Sequence, residues 1–177
     1  MVQISKNIFC DTIIIVNFIQ AKNIPMKLDQ TDLSLLNLLQ EDSKQTTKEL
    51  SAQLGLSVTA VFERIKKLER NEVIRKYVAI LDKNKIERAF IVITLVKIKT
   101  HSKEAILDFE RKISEMPEVL ECFHVSGEYD YVLKISLKDM ESYRDFMISK
   151  LTSLDEVSST QSMFSIEEVK NSTVYRL

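Results

Sequence analysis

Apolar residues recur at helical spacing in three consecutive segments of the N-terminal half. The first segment runs from Asp29 to Gln40, and its apolar positions fall mainly on one face. The apolar positions are Leu33, Leu35, Leu36 and Leu39 in the first segment, Leu50 and Leu54 in the second, and Val58, Val61, Ile65 and Leu68 in the third. This pattern predicts three helices that share one apolar core.

Capping residues separate the second and third segments. Thr46 is followed three residues later by Glu49, which is the capping box that begins a helix. Gly55 can adopt the left-handed conformation that ends a helix, and Ser57 is placed to cap the helix that follows. Two helices joined by a tight glycine turn form the helix-turn-helix pattern, whose second helix enters the major groove of DNA.

The charge distribution distinguishes this pair from an ordinary helical hairpin with a solvated face. The whole chain of 177 residues carries a formal net charge of −1. The segment from Lys44 to Lys76 has eight basic and four acidic residues, a net charge of +4. A local excess of positive charge in a near-neutral chain is typical of a surface that binds nucleic acid.

The segment that follows the third helix is rich in β-branched residues. Val73 to Leu81 is therefore predicted to be a strand, as in the wing of a winged helix-turn-helix. Asp82–Arg88 is polar and charged, and it is predicted to be a hinge.

The C-terminal half alternates between strand-like and helix-like periodicity. The predicted elements are a strand over Phe90–Lys99, a helix over Ser102–Met116 that Pro117 stops, strands over Val119–Ser126 and Tyr131–Leu137, a helix capped by Asp139 with its stripe at Met140, Tyr143, Met147, Leu151 and Leu154, and a last strand over Val157–Val169. The order β-α-β-β-α-β is that of the ferredoxin-like unit, so the predicted fold class is α+β.

The first strand of this unit is apolar on both faces. Val92 and Val96 belong to one face, and Ile91, Ile93 and Leu95 belong to the other. Two helices cover only one face of a four-stranded sheet, and a solvated face would carry alternating polar residues. The second face is therefore expected to pack on another sheet, most simply that of a second copy of the chain. This predicts a homodimer.

The first 25 residues differ from the rest. An apolar run within Thr12–Ile19 is far too short to span a bilayer, so no membrane association is expected. Met26 lies just before Leu28 and is a candidate true start, with Met1–Pro25 as upstream sequence or a loose extension; the alternative is an extra element packed on the domain. Two cysteines are too few for a disulfide framework, which favours a cytoplasmic location.

Several short motifs together resemble the Lrp/AsnC, or feast/famine, family of prokaryotic transcription regulators. The matching residues are Leu28-Asp29, Asp32, Leu35-Leu36, Leu39-Gln40-Glu41-Asp42, Glu49-Leu50-Ser51, Leu56-Ser57, Val61, Arg64-Ile65-Lys66-Lys67-Leu68-Glu69 and Val73-Ile74. The resemblance extends from about Met26 to the C-terminus. Family members commonly have glycine before the Val-Ile pair, where this chain has Glu72.

The resemblance implies a division of the chain and a set of partners. Residues 26–81 would be a winged helix-turn-helix DNA-binding domain, residues 82–89 a hinge, and residues 90–177 a ferredoxin-like domain for effector binding and oligomerisation. The expected partners are double-stranded DNA, a small-molecule effector such as an amino acid, and further copies of the chain, in a homodimer or in an octamer or other higher oligomer.

DNA contacts are expected from the exposed face of the third helix. The candidates are Ser57, Thr59, Phe62, Glu63, Arg64, Lys66 and Lys67. Thr59, Phe62, Glu63 and Lys66 are assigned to base edges, whereas Arg64 and Lys67 are assigned to phosphates, with Ser57 and Thr59 also able to reach phosphate.

The effector site is expected at the turn between the two central strands of the C-terminal half. Family members carry Gly-Asp/Glu-x-Asp-Tyr there, and this chain has Gly127, Glu128, Tyr129, Asp130 and Tyr131. The two carboxylates suit the ammonium group of an amino acid; the alternative is a plain acidic hairpin turn with Tyr129 and Tyr131 as strand aromatics. The resemblance also assigns Thr160, Gln161 and Ser162 of the last strand, contributed by a neighbouring subunit.

No arrangement of residues indicates catalysis, a metal or a cofactor. Cys122 and His124 are two apart on a strand, but His101 and Cys10 do not complete a recognisable ligand set. No Ser-His-Asp set, phosphate-binding glycine loop or pair of catalytic carboxylates stands out. The function expected is that of a sequence-specific transcription regulator. The alternatives are a ligand-independent architectural DNA-binding protein and an enzyme that acts on a metabolite.

Overall fold

The structure is a computed structural model that describes residues 26–177. The predictions for Met1–Pro25, including the apolar run and the candidate start at Met26, concern residues that lie outside the described part or at its edge. Chain contacts divide the described residues into two compact units. The helical unit comprises residues 26–78 together with Ser172–Leu177, and the sheet unit comprises Ala79–Asn171.

The helical unit contains the three predicted helices. They are α1 (Gln30–Glu41), α2 (Thr47–Leu54) and α3 (Val58–Arg70). The capping box of Thr46 and Glu49 is confirmed, as are the left-handed φ of 66° at Gly55 and the cap that Ser57 provides for α3. A second capping box, formed by Asp29 and Asp32, begins α1 and was not predicted from the sequence.

The core of the helical unit forms where the three helices meet. Its fully buried side chains are Leu35, Leu50, Val61 and Leu68, and Leu36 is nearly as buried. Ile65 packs against this core, as predicted. The placement of Val58 in the buried stripe is wrong, because 48% of Val58 is exposed. Val58 is the first residue of α3, and Val61, three residues later, is the first of this helix to be fully buried.

The end of α3 requires a left-handed residue, and that residue is Glu72. Glu72 has φ 56°, and its N–H donates to the carbonyl of Glu69 while the N–H of Val73 donates to that of Leu68. These two hydrogen bonds are the usual pattern at a helix end with a left-handed residue. Glycine normally fills this position because a Cβ atom is strained there. The turn therefore forms despite the missing glycine.

The predicted strand over Val73–Leu81 is wrong for the described chain, which has no strand there. Tyr77, Val78, Ile80 and Leu81 are all substantially exposed. β-branched composition supplies a preference for extended backbone, but a strand exists only where a neighbouring backbone accepts its hydrogen bonds. No such neighbour lies beside this segment in the described residues.

The last residues of the chain pack on α1. The side-chain amide of Gln40 donates to the carbonyl of Tyr175 at 2.9 Å and accepts from the N–H of Tyr175 at 2.7 Å. Asn37, one turn earlier, donates to the carbonyl of Leu177 at 3.3 Å. The chain thus passes from the helical unit to the sheet unit and returns, so two covalent connections join the units.

The sheet unit has the predicted β-α-β-β-α-β order. Its elements are β1 (Phe90–Ile98), α4 (Lys103–Ser114), β2 (Val119–His124), β3 (Tyr131–Leu137), α5 (Met140–Phe146) extended by a π-helical turn over Met147–Leu151, and β4 (Val157–Phe164). The sheet is antiparallel with strand order β2-β3-β1-β4. This arrangement confirms the α+β class and the ferredoxin-like unit.

The last strand is shorter than predicted. Phe164 pairs with Val92, and Ser165 donates one further hydrogen bond to the carbonyl of Ile91. Because β1 begins at Phe90, the backbone beyond Ser165 has almost no partner left, and Ile166 and Val169 are exposed. The apolar pattern continued past the point where pairing was available.

One face of the sheet carries the core. Val92, Val96, Tyr131, Leu133 and Ile135 are fully buried there against α4 and α5, which contribute fully or largely buried side chains, among them Phe109, Ile113, Tyr143 and Leu151. The stripe predicted for α5 is correct at Tyr143 and Leu151 and wrong at Met140, which is half exposed. Phe146 takes that place in the core.

The opposite face of the sheet is apolar at its centre. Ile93, Leu95 and Val132 are half-buried there. Leu95 pairs with Val132, which pairs in turn with Phe123, and Ile93 pairs with Met163; Phe123 and Met163 are about half exposed. The two-faced character predicted for β1 is confirmed. We refer to Ile93, Leu95, Phe123, Val132 and Met163 as the open face.

The left-handed Glu72 yields a stability prediction. Glu72→Gly should raise the free energy of unfolding of the helical unit by about 1 kcal/mol, because glycine removes the backbone strain and this gain exceeds its entropic cost. Urea denaturation followed by circular dichroism measures the change. Glu72→Ala is the matched control, since it removes the same charge but keeps the Cβ atom. Equal stabilisation by both variants would contradict the role of backbone strain.

Candidate DNA interface and effector site

The outer face of α3 displays most of the predicted DNA contacts. Ser57, Thr59, Phe62, Glu63, Lys66 and Lys67 are all exposed. Lys66 donates to Glu69 at 2.9 Å, and its ammonium lies 5.8 Å from the centre of the Phe62 ring. Arg70, in the last turn, is also exposed and adds a further cation to this face. The arrangement offers positive charge toward the C-terminal half of α3.

Arg64 is placed differently from the other predicted contacts. Its Nη1 atom donates to Asp32 Oδ1 at 2.6 Å and to Asp29 Oδ2 at 2.7 Å. Asp32 is completely buried, and Lys67 Nζ lies 3.9 Å from its other oxygen. The backbone N–H of Asp32 and then the Arg64 guanidinium lower the pKa of Asp29. Arg64 therefore fastens α3 to the start of α1. Both of these contacts use the same guanidinium nitrogen, Nη1, and 28% of the side chain is exposed.

The predicted effector turn has the backbone that the sequence indicated. Gly127 has φ 145°, a conformation that residues with a Cβ atom rarely adopt. The N–H of Val125 donates to the carbonyl of Asp130 and closes the turn between β2 and β3. Glu128 is exposed at the tip, whereas Tyr129 and Asp130 are half-buried. The turn thus presents one exposed carboxylate.

The carboxylate of Asp130 is engaged within the sheet unit. Its Oδ2 accepts from the N–H of Ile98 at 2.8 Å, and its Oδ1 lies 2.7 Å from His101 Nε2. Its own N–H donates to the carbonyl of Val96. Asp130 therefore anchors the turn on the end of β1. The contact of His101 was not predicted, and the available signal was the position of His101 shortly after the end of an apolar strand.

The candidate residues of β4 point in two directions. The Tyr129 hydroxyl donates to Gln161 Oε1 at 2.8 Å, so the turn and the last strand meet within one chain. Thr160 and Ser162, on either side of Gln161, pair with Val96 and Thr94 of the core side. Ser162 is hydrogen-bonded to Tyr143. The structure brings together Gln161 and Tyr129 and separates Ser162 from them.

Tyr131 lies in the core rather than at the surface. It is fully buried, stacks on His124 at 4.5 Å between ring centres, and donates to Glu110 at 3.0 Å. Burial first, and then the Glu110 carboxylate, raise the pKa of its hydroxyl. Tyr131 therefore supports the turn from beneath and offers no charge to a ligand.

Cys122 and His124 share a face of β2, as the spacing predicted. His124 Nδ1 lies 3.6 Å from Glu110, and desolvation raises the pKa of the Cys122 thiol to about 11. A thiol with a raised pKa is a poor metal ligand. Over residues 26–177, no group of three or more His, Cys, Asp or Glu side chains is arranged to hold a metal ion. In the same range, no helix is both long and apolar enough to cross a bilayer.

The fold and these surfaces define a class of protein. A helix-turn-helix unit with a basic outer face, joined to a ferredoxin-like unit with a polar turn, is typical of a DNA-binding regulator that senses a ligand. Two family descriptions match the chain, "Winged helix-turn-helix DNA-binding" over residues 28–75 and "Lrp/AsnC ligand binding domain" over residues 91–175. The chain belongs to the Lrp/AsnC family of transcription regulators.

Named relatives agree with this assignment. The chain is 36% identical over 151 residues to the glutamate uptake regulatory protein of Zymomonas mobilis, covering 85% of this chain and 92% of the relative. It is 34% identical over 155 residues to the leucine-responsive regulatory protein of Escherichia coli, covering 87% and 94%.

Solved structures are similar in fold. A transcriptional regulator from Neisseria meningitidis in complex with L-Met has a TM-score of 0.79 and 35% identity, covering 83% of this chain and 95% of that one. An AsnC family regulator from Agrobacterium tumefaciens has a TM-score of 0.80 and 34% identity, covering 84% and 96%.

The different placements of Arg64 and Lys67 yield a prediction about salt dependence. Lys67→Ala should weaken binding to all DNA sequences and reduce the slope of log affinity against log salt by about 1, as expected for a phosphate contact. Arg64→Ala should leave the slope unchanged and lower the free energy of unfolding by about 3 kcal/mol, because it leaves Asp32 buried without its main partner.

Fluorescence anisotropy with labelled duplex across a salt series, and urea denaturation of each variant, measure the two effects. Lys103→Ala, at the exposed start of α4 in the sheet unit, is the control for loss of a cation outside the basic segment. If Arg64→Ala reduces the slope without loss of stability, the role of Arg64 as a fastener is wrong and the phosphate assignment stands.

Proposed function

We propose that this protein is a sequence-specific transcription regulator whose DNA affinity responds to an amino acid bound at the turn of residues 127–131. The observation that carries the effector assignment is the contact of Tyr129 with Gln161, which brings the turn and the last strand together beside an exposed carboxylate. A ligand-responsive DNA-binding regulator is what the family and its named relatives support. We assign residues 26–81 to DNA binding, 82–89 to a hinge, and 90–177 to effector binding and assembly, although the last residues, Ser172–Leu177, pack within the helical unit.

The DNA contacts proposed follow from charge and exposure. Lys67 and Ser57 would meet phosphates, and Thr59, Phe62, Glu63 and Lys66 would face base edges. Arg64 would hold α3 in position against α1 rather than contact DNA directly. Binding takes place in the compartment that holds the chromosome, so we place the protein in the cytoplasm.

The effector contacts proposed give Glu128 and Asp130 different tasks. Glu128 is exposed and would accept hydrogen bonds from the ammonium group, whereas Asp130 holds the turn on β1. Backbone N–H groups of the turn would meet the ligand carboxylate. Because a relative with 35% identity was solved with L-Met, methionine is the first amino acid to test.

The assembly proposed is a homodimer through the open face, with higher oligomers built from it. Phe123 is 53% exposed beside the half-buried Val132, and Met163 is 45% exposed beside the half-buried Ile93. An exposed apolar patch at the centre of a sheet is a typical site of association. In a dimer, the β4 residues of one copy could also complete the effector site of the other.

Two alternatives remain to be separated by experiment. An architectural DNA-binding protein would show the same helical unit and no response to amino acids. An enzyme would turn over a metabolite at the sheet unit, and purified protein would then consume it. Calorimetric titration with amino acids distinguishes the first alternative directly.

The effector site yields a prediction for calorimetry. Titration of the full chain with the standard amino acids, L-Met first, should give a binding isotherm. Glu128→Gln should weaken that binding about tenfold to a hundredfold, because it replaces a charged hydrogen bond of roughly 1.5–3 kcal/mol.

A second variant tests the turn itself, and a third serves as a control. Gly127→Val should weaken the binding more, since a β-branched residue resists positive φ. Glu104→Gln on α4 removes an equal charge elsewhere and should change nothing. DNA binding without effector should survive in all three variants. Absence of binding heat with every amino acid would favour the architectural alternative.

The open face yields a prediction for association state. Phe123→Asp should dissociate the full chain toward monomer, because it places a charge in the apolar interface at little cost to a half-exposed side chain of the isolated fold. Light scattering at matched concentration measures the mass. Leu107→Asp, on the exposed side of α4, is the control. A wild-type chain that is monomeric in this experiment would contradict the proposed assembly.

A further inference from the structure

The first two turns of α3 expose apolar side chains that the fold does not use. Val58 and Phe62 are 48% and 47% exposed, and they stand four residues apart on the same side of the helix. Neither belongs to the apolar cluster of the helical unit, whose partly buried members include Leu54, Leu56 and Ile65. The core of this unit is complete without them, so their exposure is not explained by packing.

The basic side chains of α3 either have partners within the helical unit or lie toward the C-terminal end of the helix, although the Lys66 ammonium also lies 5.8 Å from the centre of the Phe62 ring. Arg64 is held by Asp29 and Asp32, and Lys66 is paired with Glu69. Lys67 and Arg70 lie in the last turn. The bidentate Arg or Lys contact that reads guanine is therefore not provided by the first two turns. The chemistry available there is apolar at Val58 and Phe62, hydroxyl at Thr59 and carboxylate at Glu63.

The carboxylate of Glu63 indicates that this part of α3 would face base edges rather than phosphates. It is exposed beside Phe62 and would be repelled by phosphate oxygens. Facing a base edge, it can accept a hydrogen bond from a cytosine amino group. Recognition helices present their N-terminal residues to base edges. The patch formed by Val58 and Phe62 would then lie among the bases of the major groove, where the 5-methyl group of thymine is the apolar feature.

We infer that Phe62, with Val58 beside it, reads thymine through its 5-methyl group and so determines part of the operator sequence. The inference rests on the DNA binding proposed above and adds the chemical feature that is recognised. It predicts that affinity depends on thymine methyl groups within each half-site, and that this dependence is carried by Phe62.

The test removes the methyl groups and nothing else. Duplexes that bind the full-length protein are first selected from a random library, and one of them is then synthesised with deoxyuridine in place of thymine, one position at a time. At positions under α3, each replacement should weaken binding about fourfold, the equivalent of one buried methyl group. Replacement at flanking positions should have no effect.

Protein variants assign the methyl contact to a side chain. Phe62→Ala should bind the thymine duplex more weakly and lose the preference for thymine over deoxyuridine, whereas Phe62→Leu should keep part of that preference. Leu107→Ala, which removes an exposed apolar side chain from α4, should behave as wild type. Thermal unfolding should be nearly unchanged in Phe62→Ala, because the core does not include this ring.

The outcomes separate this inference from the proposed function. Selection of no duplex at all would overturn DNA binding itself. Tight binding with equal affinity for thymine and deoxyuridine would overturn the methyl readout alone. A thymine preference that survives Phe62→Ala would overturn the assignment to Phe62. A change in association state in Phe62→Ala, measured by light scattering, would make the patch an interface between copies of the chain and would likewise overturn the inference.

Discussion

The ion pair between Asp32 and Arg64 governs the geometry of the helical unit. Asp32 is completely buried and also forms half of the capping box that begins α1, so one carboxylate fixes the start of α1 and the position of α3. A buried carboxylate is costly unless it is paired and hydrogen-bonded, which makes the arrangement strongly dependent on Arg64. The orientation of the recognition helix is thus set by polar contacts in addition to the apolar core. Thr59, Phe62 and Glu63 on the outer face of α3 are exposed and are not part of this ion pair.

The two faces of the sheet have different roles, because successive side chains along a strand point to opposite faces. One face is filled by aromatic and aliphatic residues from two helices, and it also holds the hydroxyl contact of Ser162 with Tyr143. The opposite face carries the open apolar centre and Gln161. Because neighbours in β4 point to opposite sides, a run of three polar residues cannot act as one site. The effector contact proposed for this strand therefore falls on Gln161.

The turn before β3 shows how a short acidic loop can be both anchored and accessible. Asp130 is attached to the end of β1 through the N–H of Ile98, and His101 covers its other oxygen. Glu128 remains exposed two residues earlier. A ligand that binds the exposed carboxylate would act on a turn whose far end is fixed to the central strand.

The chain also returns from the sheet unit to α1, where Gln40 holds the backbone of Tyr175, so β4 is followed by a second covalent connection to the helical unit.

The amino-acid sequence by itself determined the elements whose causes are local. Capping at Thr46, the glycine turn at Gly55, and the periodicities of the three helices and four strands are set by neighbouring residues, and the structure confirms them. The resemblance to the family also followed from short local motifs. Tertiary structure decided what depends on partners distant in the chain. Arg64 met two aspartates about thirty residues away, Asp130 met His101, and Val73–Leu81 stayed unpaired because no backbone lies beside it in the described residues. Periodicity gives the face of a side chain, but only the packed fold supplies the atom that it meets.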